Sequence, residues 1–104
     1  MAEIECSVRQ IMVSTEQRST ELCLYGFLRA LSADSGHIDG REAVRIHYLC
    51  APDLVEPPMR VLVHIDEFSQ RFTHRTDGFV GTVESWGRHG RVWYVWVEYP
   101  VIRE

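Results

Sequence analysis

The chain contains no lysine and no asparagine, and all 11 of its basic residues are arginine. Without lysine there is no Schiff-base or pyridoxal anchor and no phosphate-loop lysine. Without asparagine there is no N-glycosylation sequon. AT-rich codons serve both missing residues, so a GC-rich genome accounts for the two absences together. The other cause is selection for arginine's planar fork at interfaces. The bias touches every position, which favours the genomic cause. Cysteine is scarce as well: Cys6, Cys23 and Cys50 are odd in number, widely spaced and free of any C-x-x-C. That pattern supports neither a closed disulfide framework nor a thiolate zinc site, and all three are expected to be small buried hydrophobes in a reducing compartment. The longest mostly apolar run, Leu22 to Leu31, is broken by Arg29 and is too short to span a bilayer. "MAEIECSVRQ" places acids early and lacks a basic segment before an apolar one, so no secretory signal is expected and the cytoplasm is the expected compartment.

What is present describes a globular chain. With 104 residues, 45% of them apolar and 25% charged, residues 1–104 are expected to form a single domain that can bury a core without staples. Internal repeats, low-complexity tracts and heptads are all missing from the sequence. The net charge of −4 argues against general nucleic-acid binding. It is unevenly spread: residues 1–58 hold nine acids against five arginines, and residues 59–104 hold six of each.

Hydrophobic periodicity divides the chain into elements. Ile4, Cys6 and Val8 alternate with Glu5, Ser7 and Arg9, which predicts a half-buried strand over Ile4–Val13, with a bulge or an end where the alternation fails at Gln10–Ile11. Ser14 and Gln17 have the spacing of a capping box. From Thr20 to Ala33, the residues Leu24, Phe27, Leu28 and Leu31 fall on one face at helical spacing, which predicts a helix. Gly26 sits inside this helix at a cost of about 1 kcal/mol, and Gly36 is placed as its left-handed cap. "GHIDG" reads as a turn. Strands are then expected at Glu42–Cys50, Met59–Phe68, Phe79–Trp86 and Arg91–Tyr99, with a proline-rich loop, "APDLVEPP", after the first of them. The order β-α-β-β-β-β predicts an α+β fold, a single helix packed on a curved, mainly antiparallel five-stranded sheet, with a half-open barrel as its strongly curled form. If the first two strands are neighbours, a right-handed crossover makes them parallel.

Several constellations could carry chemistry. His47 and His64 each lie on the polar parity of a strand. If those strands pair, both histidines share a face with Arg45, Arg60 and Asp66, which is the minimum for general acid–base work with an anion-holding arginine. The ordinary alternative is a solvated face of mixed charge. The five histidines show no metal-ligand spacing, so no metal and no cofactor is expected. Cys50 and Ser85 sit in no nucleophile elbow. "QRFTHR" and "GRHGR" are basic loops with Phe72, Trp86 and Trp93 nearby, a weak signal for an RNA or single-strand binder using Arg71, Arg75, Arg88 and Arg91.

The last strand, "RVWYVWVEYP", is apolar almost throughout on both parities: Trp93, Val95, Val97 and Tyr99 on one, Val92, Tyr94, Trp96 and Glu98 on the other. One helix covers only one face, so curling, a second subunit, a partner protein or a ligand must cover the second. The leading expectation is a small protein-interaction module, an accessory, adaptor or inhibitor rather than an enzyme. It would bind another protein or a second copy of itself through the C-terminal hairpin, with Trp86, Arg88, Arg91, Trp93, Tyr94 and Trp96 as binding residues. The rival is a small enzyme or ligand-binding domain in which His47, His64 and Asp66 are catalytic. No membrane partner is expected.

Overall fold

Period-two alternation builds most of this chain. The computed structural model describes residues 5–53, 57–67, 76–84 and 91–99. Its strands are β1 (Ser7–Ser14), β2 (Ser19–Leu24), β3 (Phe27–Ile38), β4 (Arg41–Cys50), β5 (Met59–Glu67), β6 (Phe79–Glu84) and β7 (Val92–Glu98), with one short 3-10 turn at Thr76–Gly78. They form two antiparallel sheets, a three-stranded one in the order β1-β4-β3 and a four-stranded one in the order β2-β5-β7-β6. The core lies between them. Val13, Phe27, Val44, Ile46 and Tyr48 come from the first sheet, and Val61, Val63, Ile65, Val83, Trp93, Val95 and Val97 from the second. Burying each aliphatic side chain of this kind contributes about 1.5–3 kcal/mol. β3 also packs beside β6, which joins the sheets along one side.

The helix expected over Thr20–Ala33 is not there, and the α+β class is corrected to a nearly all-β one. This segment folds as β2, a turn at Tyr25–Gly26, and β3. In β2 the half-buried Thr20, Leu22 and Leu24 alternate with exposed Ser19, Glu21 and Cys23. β3 misleads by its bulges. Its register against β4 shifts between Phe27 and Arg29 and again between Ala30 and Ser32. Each bulge inserts one residue and so turns a spacing of two into a spacing of three. Phe27, Ala30 and Ala33 therefore all reach the core, whereas Leu31 of the expected helical stripe is exposed.

The neighbouring expectations change with it. Gly36 is not a helix cap but lies within β3 opposite Ala43. Ser14 ends β1, and its hydroxyl accepts from the Glu16 amide at 3.1 Å in a tight turn rather than opening a capping box. The "GHIDG" turn is the β3–β4 hairpin, where Asp39 (φ 50°) and Gly40 (φ 76°) both adopt the left-handed backbone that a two-residue hairpin of right-handed twist requires.

β1 pairs with β4 without a register shift, so Gln10–Ile11 is neither bulge nor end. The pairing is antiparallel rather than parallel, because a pair of strands, and no crossover helix, separates the two in sequence. The core parity is Ile11 and Val13, which leaves Val8 exposed. Of the cysteines, Cys50 is buried, whereas Cys6 and Cys23 are exposed because each lies outside the core-facing parity. Among the described residues no helix is long and apolar enough to cross a membrane.

Candidate functional site

The strands of the four-stranded sheet send Val61, Val63, Ile65, Trp93, Val95 and Val97 inward, so strict alternation sends His64, Asp66, Tyr94, Trp96 and Glu98 to its outer face. Register then assembles two rungs there. One runs Ser19, His64, Trp96, Phe79 across all four strands, and the next places Asp66 beside Tyr94 and Thr82. Four residues singled out from the sequence for different reasons thus share one face.

The polar part of this face is tightly bonded. His64 is buried, with the Ser19 hydroxyl 2.9 Å from its Nδ1 and the Glu98 Oε2 3.5 Å from its Nε2. Asp66 is only 1% exposed, and the Arg18 guanidinium donates to its Oδ1 at 2.9 Å. A carboxylate taken out of water requires such charge-assisted partners. The aromatic part is more exposed at one end, at Phe79. Phe79 is 46% exposed and meets the half-buried Trp96 edge-to-face, centroids 4.8 Å apart and planes at 62°. Tyr94 is half-buried beside them.

Trp93 has the opposite fate. It belongs to the core, and its indole Nε1 donates to Glu42 Oε1 at 2.6 Å, a bond from one sheet to the other. The Arg91 guanidinium lies 4.8 Å from the centre of its ring. Arg91 also donates to both carboxylate oxygens of Glu67, through Nε at 3.3 Å and through Nη2. That bond is the first reason its pKa lies above the ordinary arginine value. Arg91, Trp93, Glu42 and Glu67 line an open cleft of about 530 Å³ together with Thr15, Glu16 and Arg41. Its charges are largely matched within the protein, since Arg41 pairs with Glu16 at 2.9 Å.

The grouping of His47 with His64 does not occur. β4 and β5 belong to different sheets, so His47 stands on the outer face of the three-stranded sheet, its Nε2 3.4 Å from Asp34, with Arg45 on the same carboxylate at 3.0 Å. Arg60 stays on the His64 face, bonded to Glu21. Trp86, Arg88, Arg71, Arg75 and Ser85 lie outside the described residues. Sequence reasoning missed Arg18 and Ser19, which it left between the capping-box spacing at Ser14–Gln17 and the helix expected from Thr20, and Phe79, which the register shift between Phe79 and Gly81 turns to the outer face; Glu98 it placed on the Trp96 parity without a role. No group of three histidine, cysteine or acidic residues able to hold a metal occurs among the described residues. Comparison with protein-family models, curated proteins and solved structures finds no match to this chain.

Proposed function

We propose that the protein is a small protein-interaction module that binds another protein through the outer face of its C-terminal hairpin, with Trp96, Phe79 and Tyr94 as anchors. The observation that carries this reading is the Phe79–Trp96 pair, an aromatic contact between an exposed Phe79 and a half-buried Trp96 on a sheet face whose core side is already filled. Tryptophan and tyrosine held rigidly beside exposed apolar surface are the residues that dominate binding energy. The bonded Arg18–Asp66 and Ser19–His64–Glu98 groups beside them supply a fixed polar rim. Trp93 is removed from the set of anchors because it belongs to the core. Arg91 is removed with it, because it lies against Trp93 and Glu67 in the cleft and not on the Trp96 face.

The test is capture from the native host, identification of the stoichiometric partner, and titration of that purified partner against wild type, Trp96→Ala and Phe79→Ala. An anchor is worth about 2 kcal/mol or more, so each variant should weaken Kd roughly 30-fold. Phe79→Ala changes an exposed residue and serves as the control that keeps the core intact. Unchanged affinity in both folded variants refutes the reading.

A second reading rests on the Ser19–His64–Glu98 rung. An exposed serine hydroxyl bonded to a buried imidazole, with a carboxylate at the other ring nitrogen, is the arrangement of a base-activated nucleophile. On this reading Ser19 Oγ attacks the acyl carbon of an ester as its proton passes to His64 Nδ1, the bond from the acyl carbon to the leaving alcohol's oxygen breaks, that oxygen takes the proton from Nδ1, and Glu98 steadies the imidazolium in between.

A further inference from the structure

The outer edge of β1 is unpaired among the described residues, since β4 is its single neighbour in the three-stranded sheet. A free edge is a template for another strand, and proteins ordinarily blunt it with proline, lysine, a bulge or brevity. β1 runs eight residues, carries one charge, Arg9, contains neither proline nor lysine, and holds an unbroken register with β4. Its outward parity exposes two large apolar side chains, Val8 at 62% and Met12 at 43%, with Gln10 midway between them.

We infer that this edge pairs antiparallel with β1 of a second copy, about a two-fold axis through Gln10, to make one continuous six-stranded sheet. The pattern selects the occupant. Antiparallel partners directly opposite each other share a face, so the two faces of the sheet stay continuous only in registers that match parity. In the register centred on Gln10, Val8 of each copy lies opposite Met12 of the other, twice over, and Gln10 lies opposite Gln10. Shifting the centre to Arg9 sets two guanidiniums face to face. Shifting it to Ile11 leaves Val8 opposite Ser14. The Gln10 register alone of the three covers both exposed apolar residues and keeps Arg9 opposite Ile11 rather than its own copy. The triplet Val8–Gln10–Met12 is therefore complementary to itself, the property an isologous two-fold contact demands.

The full-length protein is tested by sedimentation over a range of concentrations. Wild type should show a monomer–dimer equilibrium. Val8→Glu, at an exposed position, should weaken it about tenfold or more, by setting a carboxylate against Met12 at both symmetric places. Adding Met12→Arg should restore the dimer, because each new carboxylate then faces the new guanidinium of the other copy. Within one chain the two positions lie about 13 Å apart along the strand, too far to pair. Gln10→Cys, in a background of Cys6→Ser and Cys23→Ser, should form an intermolecular disulfide on mild oxidation, since the opposed Cα atoms fall within the reach of that bond. A monomer at every concentration overturns the inference. So does a dimer indifferent to Val8→Glu, or one that Gln10→Cys does not cross-link, because another surface then joins the copies. The edge lies on the sheet opposite the aromatic face, so neither result bears on the binding of another protein by Trp96.

Discussion

Replacing Gly26 by alanine gives opposite signs for the two conformations its sequence suggests. In a helix, Gly→Ala stabilises by about 1 kcal/mol. In the observed turn between β2 and β3, Gly26 has φ 71°, and an added Cβ would stand 2.9 Å from Cys50 Sγ and 3.2 Å from the backbone N and Cα of Pro52. The left-handed backbone costs alanine about 1–2 kcal/mol. Crowding against Cys50 and the Pro52 backbone adds about 1–3 kcal/mol, and the stiffer unfolded chain returns about 0.4–1 kcal/mol. The net expectation is a loss of about 1–5 kcal/mol. Gly40 is the internal control. Its φ is 76°, but nothing lies within 4 Å of a Cβ there, so Gly40→Ala bears only the conformational cost. It should lose about 0–1.6 kcal/mol after the same unfolded-state offset, less than Gly26→Ala by the steric contribution. Urea unfolding followed by tryptophan fluorescence measures both, provided the m-value is unchanged. In heat, each 1 kcal/mol should appear as roughly 4–8 °C in Tm for a chain of this size. Equal losses at the two glycines would refute the steric argument. A stabilised Gly26→Ala would refute the turn itself.

Two further outcomes follow from the core and from the polar rung. Burial, and secondarily the Cys50 thiol, push the Tyr48 phenol above its ordinary 10.0 against the opposing charge of Arg9. The unfolded chain then releases that proton at lower pH than the folded one. Tyr48's contribution is therefore fully present below about pH 10 and is lost as pH rises through the folded value. Urea midpoints should fall on this alkaline limb in wild type and flatten in Tyr48→Phe; identical limbs would remove the effect. For the second reading, wild type should hydrolyse p-nitrophenyl acetate faster than Ser19→Ala, with an acyl group trapped on Ser19. Equal rates and no trapped acyl group would make the rung purely structural.

The strands at Arg41–Cys50, Met59–Glu67, Phe79–Glu84 and Val92–Glu98 were legible because each is a short apolar run bounded by glycine, proline or polar turn residues, and alternation carries through most of β4 and all of β7. So was the Asp39–Gly40 turn, whose chemistry is local. The Thr20–Ala33 segment was not legible. Its two bulges are defined by the β4 register, and bulged strand and helix leave nearly the same apolar spacing in one dimension. The site divides in the same way. That Trp93 and Trp96 face opposite sides is written in the strand period. Which side is core was decided by the second sheet packing over Val95 and Val97. That His64 meets Ser19 and Glu98 while His47 stands apart was decided by pairing: β5 joins β2 and β7, and β4 joins β1 and β3. By itself the sequence determined the alternation, the turn glycines and the aromatic load of the last strand, because these depend on residues within a few positions of one another. The strand order, the register and the buried face were decided by tertiary structure, because each depends on contacts between residues remote along the chain.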